Sequence, residues 1–182
     1  MSEKTPNPTS VRQAGPDDER ALYEFLVEMH LRNAFGWGYV YDPGLVRAQI
    51  EVGTRPDLRT RTDKNDRRVG IIGVIDGPDG KIAATIGLFV ERPMWFSQVV
   101  GLVELWVYVP PGKGSSRYEA ELRKYGLWAF HSMKADIYKD PDYHYPFELL
   151  TGFQHRGKHF KAMFRIWRRW GGRLIGMLFV IR

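Results

Sequence analysis

Three stretches between residues 69 and 109 constrain this chain more than any other feature: VGIIGVI at 69–75, KIAATIGLFVE at 81–91 and VVGLVELWVYV at 99–109. Each is rich in β-branched, Leu or aromatic residues. The turn sequence DGPDG at 76–80 parts the first two, and RPMWFSQ at 92–98 parts the second from the third. Connections this short join antiparallel neighbours, because a parallel return needs a crossover of a dozen or more residues. A three-strand meander follows, and the rest of the chain must pack on it.

Helical periodicity supplies the packing. In GPDDERALYEFLVEMHLR at 15–32, Leu22, Phe25, Leu26 and Met29 recur on one face, after a first turn crowded with Asp17, Asp18 and Glu19. Val11 to Ala14 before it reads as a short first strand. Asp42 followed by Pro43 predicts the cap and first turn of a second helix running to about Val52. GTRPDLRTRTDKNDRR, from Gly53 to Arg68, is nearly devoid of apolar residues and reads as a long exposed loop. From Ser116 to about Ala135, Leu122, Tyr125, Ala129 and Met133 form a third helical stripe, widened by Phe130. FELLTGF at 147–153 predicts a strand. A helix bearing Phe160, Met163, Phe164 and Trp167 follows, and RLIGMLFVIR at 173–182 closes the chain as a strand. The order β, α, α, meander, α, β, α, β specifies an α+β domain, a largely antiparallel sheet flanked by helices. At 182 residues it is expected to be a single domain spanning 11–182 behind a loose tail at 1–10.

Composition narrows the function classes. With no cysteine, disulfides and thiolate zinc sites are excluded, which fits the cytoplasm. The start MSEKTPNPTS lacks the apolar core of a signal peptide, and the apolar run LIGMLFVI falls short of the roughly 20 residues that span a bilayer, so no membrane association is expected. A formal charge of +6 suits an anionic partner such as nucleic acid, a phosphorylated cofactor or an acidic surface. The basic run from Lys158 to Arg173 allows a nucleic-acid contact, although the solvated face of an amphipathic helix explains it as well. His155 and His159 lie four apart, but without HExxH or a third ligand no metal is expected.

Two places carry possible chemistry. Glu104 sits within an apolar strand, alternating with Leu102, Trp106 and Tyr108 while Val103, Leu105, Val107 and Val109 point to the other side. A carboxylate there needs a partner or a raised pKa, conditions met by a general base and equally by a structural acid paired to an arginine. Beyond the strand, PPGKGSSR leads into the third helix. Gly112, Lys113, Gly114, Ser115, Ser116 and Arg117 provide pliable backbone, amide donors and positive charge at a helix start, where a phosphate can be held. The Walker spacing is absent, and Ser116 with Glu119 has the spacing of a capping box.

The element order and this junction resemble the GNAT superfamily of N-acetyltransferases, over most of the chain from Val11 to Ile181. VRQAGPDDERALYEFLVEMH resembles the family's first strand and helix, VELWVYVPPGKGSSRYEAEL its strand, pyrophosphate loop and helix, and GKHFKAMFRIWRRWGGRLIGMLFVIR the late helix and terminal strand of compact phage and prophage variants. The resemblance implies a GNAT-like mixed sheet and transfer of an acetyl group from acetyl-CoA to a primary amine of a small molecule or protein. Backbone near Val107 to Val109 would meet the pantetheine, residues Gly112 to Arg117 the pyrophosphate, and Glu104 would take the amine's proton. Phe164 stands where the family often has the tyrosine that protonates the leaving thiolate, so Tyr108 or Tyr125 would substitute. A non-catalytic module of the same fold, or a basic nucleic-acid-binding protein, are the alternatives.

Overall fold

The computed structural model describes residues 10–32, 42–55, 70–91, 100–112, 115–138 and 147–150. The chain divides into two compact units, Met1–Thr151 and Gly152–Arg182, and every described residue belongs to the first. The expected late helix and terminal strand, with His155, His159, Phe164 and the basic run, lie outside the described residues. So do Lys113 and Gly114.

The described elements are β1 (Arg12–Gln13), α1 (Glu19–Arg32), α2 (Pro43–Thr54), β2 (Gly70–Asp76), β3 (Ile82–Glu91), β4 (Val100–Tyr108), α3 (Ser115–Ile137) and β5 (Phe147–Leu150). The strands form one sheet in chain order, β1 to β4 antiparallel and β5 parallel to β4. The meander is as expected. It turns at Gly77–Gly80, where Gly80 takes φ +74, a conformation that glycine adopts without steric cost.

β2 shows why its sequence is apolar without alternation. Ile72 and Val74 pack with Leu22 and Leu26 of α1 and Ile50 of α2, whereas Ile71 and Ile75 pack with Leu122, Tyr125 and Ala129 of α3. The sheet is therefore covered on both faces, and a strand covered on both faces reads as a continuous hydrophobic run. Leu22, Ile72, Leu88, Leu102 and Leu122 are wholly buried, and each contributes about 1.5–3 kcal/mol relative to an exposed side chain.

Local capping follows the sequence closely. The Asp42 carboxylate accepts from the Gly44 and Leu45 amides at 2.8 and 3.1 Å, with Pro43 in the first turn. The helix then runs two residues past its expected end and takes in Gly53, which the sequence assigns to a loop. The cause is tertiary. Thr54 is buried, its hydroxyl lying 2.9 Å from the Ile50 carbonyl and 3.0 Å from Glu19, while Arg55 bonds Glu19 at 2.9 Å, so the end of α2 is tied to the start of α1. The beginning of α1 also differs from expectation, because Pro16–Asp18 form a separate 3-10 turn. There Asp18 accepts from the Gly15 amide and, through both oxygens, from Arg12, which also grips Asp76 at the end of β2.

Candidate functional site

β4 departs from the regular alternation read in its sequence. Gly87 of β3 is opposite Trp106, but the next residue, Leu88, is opposite Glu104, so Leu105 is the extra residue of a β-bulge. A bulge reverses the facing of everything beyond it. Leu102, Val107 and Val109 belong to the cluster under α3, whereas Leu105 and Trp106 belong to the cluster under α1 and α2. Tyr108 makes an edge-to-face contact with Phe25 of α1, ring centroids 5.1 Å apart. Glu104, Trp106 and Tyr108 therefore do not share a face. The expectation that Glu104 alternates with Trp106 and Tyr108 on one face is corrected accordingly.

On the α3 face, Glu104 forms an ion pair with Arg123, and both side chains are only 5% exposed. Arg123 also lies 3.5 Å from Glu119, one turn earlier in α3. The partner that the sequence requires for a carboxylate at Glu104 is thus an arginine, Arg123. The same network bears on the helix start. α3 opens at Ser115, so Ser116 and Arg117 lie inside its first turn, which contains no acidic residue. Glu119 lies beyond that turn, 3.5 Å from Arg123. The exposed Ser116 and Arg117 thus sit at a 23-residue helix start with no carboxylate in its first turn, the electrostatic setting for an anion.

Between these features lies the edge of β4. Its pairing with β5 covers Val100 to Val103 and, among the described residues, no strand pairs with that edge from Glu104 onward. The stretch Glu104 to Val109 leads from there through Pro110, Pro111 and Gly112 to α3. Of the residues expected to hold a cofactor, Val107, Val109, Gly112, Ser116 and Arg117 thus lie along one course of chain. Ser115 is the first residue of α3.

On the other face, a cavity of about 650 Å³ lies against the bulge, lined among the described residues by Leu26, Met29 and His30 of α1, Val46 and Gln49 of α2, and Leu105 and Trp106 of β4. Trp106 lies over Gly87, where any Cβ would be driven into the indole, and packs against Phe89 at 5.5 Å between ring centroids. Its indole N–H and the Tyr108 hydroxyl are buried without a hydrogen-bond partner among the described residues. A buried group left so costs about 1–3 kcal/mol. Burial pushes the Tyr108 phenol up from its ordinary pKa, Glu28 adding to the rise and Arg32 opposing it, so the hydroxyl keeps its proton.

The sequence did not single out His30, Gln49, Leu105 or Arg123. His30 and Gln49 carry no motif, and the bulge has no glycine or proline to announce it. Arg123 was one of many arginines, and only the fold selects it as the partner of Glu104. Among the described residues no cluster of three or more potential ligands could hold a metal.

The sequence matches no protein-family model and no curated protein. Among solved structures it is similar to a putative acetyl transferase from Pyrococcus furiosus, at 10% identity over 94% of this chain and 97% of that one, TM-score 0.48. Glucosamine-6-phosphate N-acetyltransferase from Arabidopsis thaliana gives 15% identity over 94% and 96% of the two chains, TM-score 0.47. An acetyltransferase from Trypanosoma brucei gives 13% identity over 94% and 97%, TM-score 0.46.

Proposed function

We propose that this protein is an N-acetyltransferase that uses acetyl-CoA to acetylate a primary amine. The observation that carries the reading is the course of chain that runs from β4, whose described pairing with β5 covers Val100 to Val103, to a helix start at Ser115 with no acid in its first turn. An extended chain of amides can lie along a strand edge in strand-like fashion, and a pyrophosphate can receive the amides and Arg117 at the helix start. In this assignment the backbone of Val107 to Val109 holds the pantetheine, and Gly112 to Arg117, including Lys113, Gly114 and Ser115, hold the pyrophosphate. Acetyl-CoA supplies a thioester carbonyl open to attack by an amine.

The protein's own groups then divide the proton traffic. Tyr108 holds a proton at Oη, kept there by burial, for the leaving sulfur. Glu104 is held by Arg123 on the opposite face, and the imidazole of His30 in the cavity wall takes the acceptor role. A non-catalytic binding module is the second reading, favoured by that same engagement of Glu104.

Titration calorimetry with acetyl-CoA tests the cradle. Wild type is expected to bind saturably, and Ser116→Asp at least about tenfold more weakly, with an unchanged or higher Tm because an acid in the first turn complements the helix dipole. Equal affinities would remove the helix start from the site. Thiol release with an amine panel then separates enzyme from binding module: His30→Gln should slow turnover by about 100-fold if the ring takes the proton.

A further inference from the structure

The chemistry of the cavity wall narrows the amine. Leu26, Met29, Val46, Leu105 and Trp106 make it apolar, and its polar groups among the described residues are the His30 ring and the Gln49 amide. No carboxylate, lysine or arginine lines it among the described residues. Among the described lining residues a phosphorylated sugar would find no lysine or arginine. An alkylammonium set against these described residues would give up hydration without a counter-charge from them, and such a transfer is unfavourable. An amine that is already neutral near pH 7 pays no such penalty. The volume of about 650 Å³ is in the range of small-molecule sites.

We infer that the cavity bounded by α1, α2 and the β4 bulge takes a weakly basic amine on an apolar body, of the arylamine class, in preference to alkylammonium, polycationic or phosphorylated acceptors. The apolar body lies against Leu105, Trp106 and Met29, and the amino group, uncharged, hydrogen-bonds to Gln49 or His30. Its identity as an acetyl acceptor rests on the acetyltransferase reading, but its binding does not.

Binding is therefore measured without acetyl-CoA, by calorimetry or ligand-observed NMR, with 4-ethylaniline, 2-phenylethylamine and glucosamine 6-phosphate. At neutral pH, 4-ethylaniline is expected to bind at least about tenfold more tightly than 2-phenylethylamine, only roughly a thousandth of which is neutral there if its pKa is near that of lysine. Affinity for 2-phenylethylamine should rise about tenfold per pH unit up to that pKa, while that for 4-ethylaniline stays level. Gln49→Glu, close to isosteric, places a carboxylate in the wall and should reverse the preference. Competition by glucosamine 6-phosphate, tighter binding of 2-phenylethylamine by wild type, an unchanged preference in Gln49→Glu, or no binding of either amine would each overturn the inference. Failure of acetyl-CoA to bind would overturn the acetyltransferase reading and leave the cavity result standing.

Discussion

Glu104 and Arg123 hold opposite charges at 5% side-chain exposure between β4 and α3, so each depends on the other for solvation. Removing one charge from such a pair costs more than the pair itself contributes. Glu104→Gln keeps the shape and leaves Arg123 with Glu119 at 3.5 Å; the unfolding free energy should fall by about 3 kcal/mol, read from urea denaturation. The double variant Glu104→Met/Arg123→Leu should recover most of that loss. If instead Glu104→Gln loses turnover by about 100-fold with stability intact, the carboxylate is the proton acceptor and His30 is not. The need for a partner was legible from one carboxylate among Val and Leu residues. Which arginine answers it was not, because residues 19 positions apart meet only once β4 and α3 have packed.

Elements show a different balance. α1, α2, α3 and the meander follow from periodicity and capping, with ends shifted by a few residues, since 3.6-residue and two-residue repeats are local properties of the chain. The bulge at Leu105 is not local. It arises where β4 must match β3 while burying apolar residues on both faces, and it decides which side chains reach the cavity. The end of α2 is also set by contact: a Cβ on Gly53 would come 2.5 Å from Cδ1 of Ile72, a fully buried residue. Gly53→Val should therefore destabilise the protein by about 2 kcal/mol through overpacking. In a double-mutant cycle, Ile72→Ala should relieve part of that cost, giving a favourable coupling. Additive losses would mean that α2 shifts away from β2 instead of pressing on it.

For the molecule as a whole, carboxylates bound by arginines set the acid limit of stability. Arg12 holds Asp18 below its ordinary carboxylate pKa against the opposing effect of burial, and Arg55 does the same for Glu19. A depressed folded-state pKa contributes stability that is fully present above the unfolded value, near 4, and is lost as pH falls through the folded one. Stability should thus decline below about pH 4, and Arg12→Gln should make that decline shallower while lowering stability at neutral pH; an unchanged acid slope would show that Asp18 is not linked to unfolding. These pairs join the β1–α1 turn to β2 and α1 to α2, contacts between segments far apart in sequence. No helix among the described residues is long and apolar enough to cross a membrane. By itself the sequence determined the α+β class, the antiparallel meander, the capped helices and the polar strand-to-helix junction, because each depends on neighbours a few positions away. The tertiary structure alone decided that Glu104 is held by Arg123, that Tyr108 faces away from it, and that His30, Gln49 and Trp106 share a cavity. Those outcomes depend on the bulge and on which helix covers which face, and both are settled only when the sheet is packed from both sides.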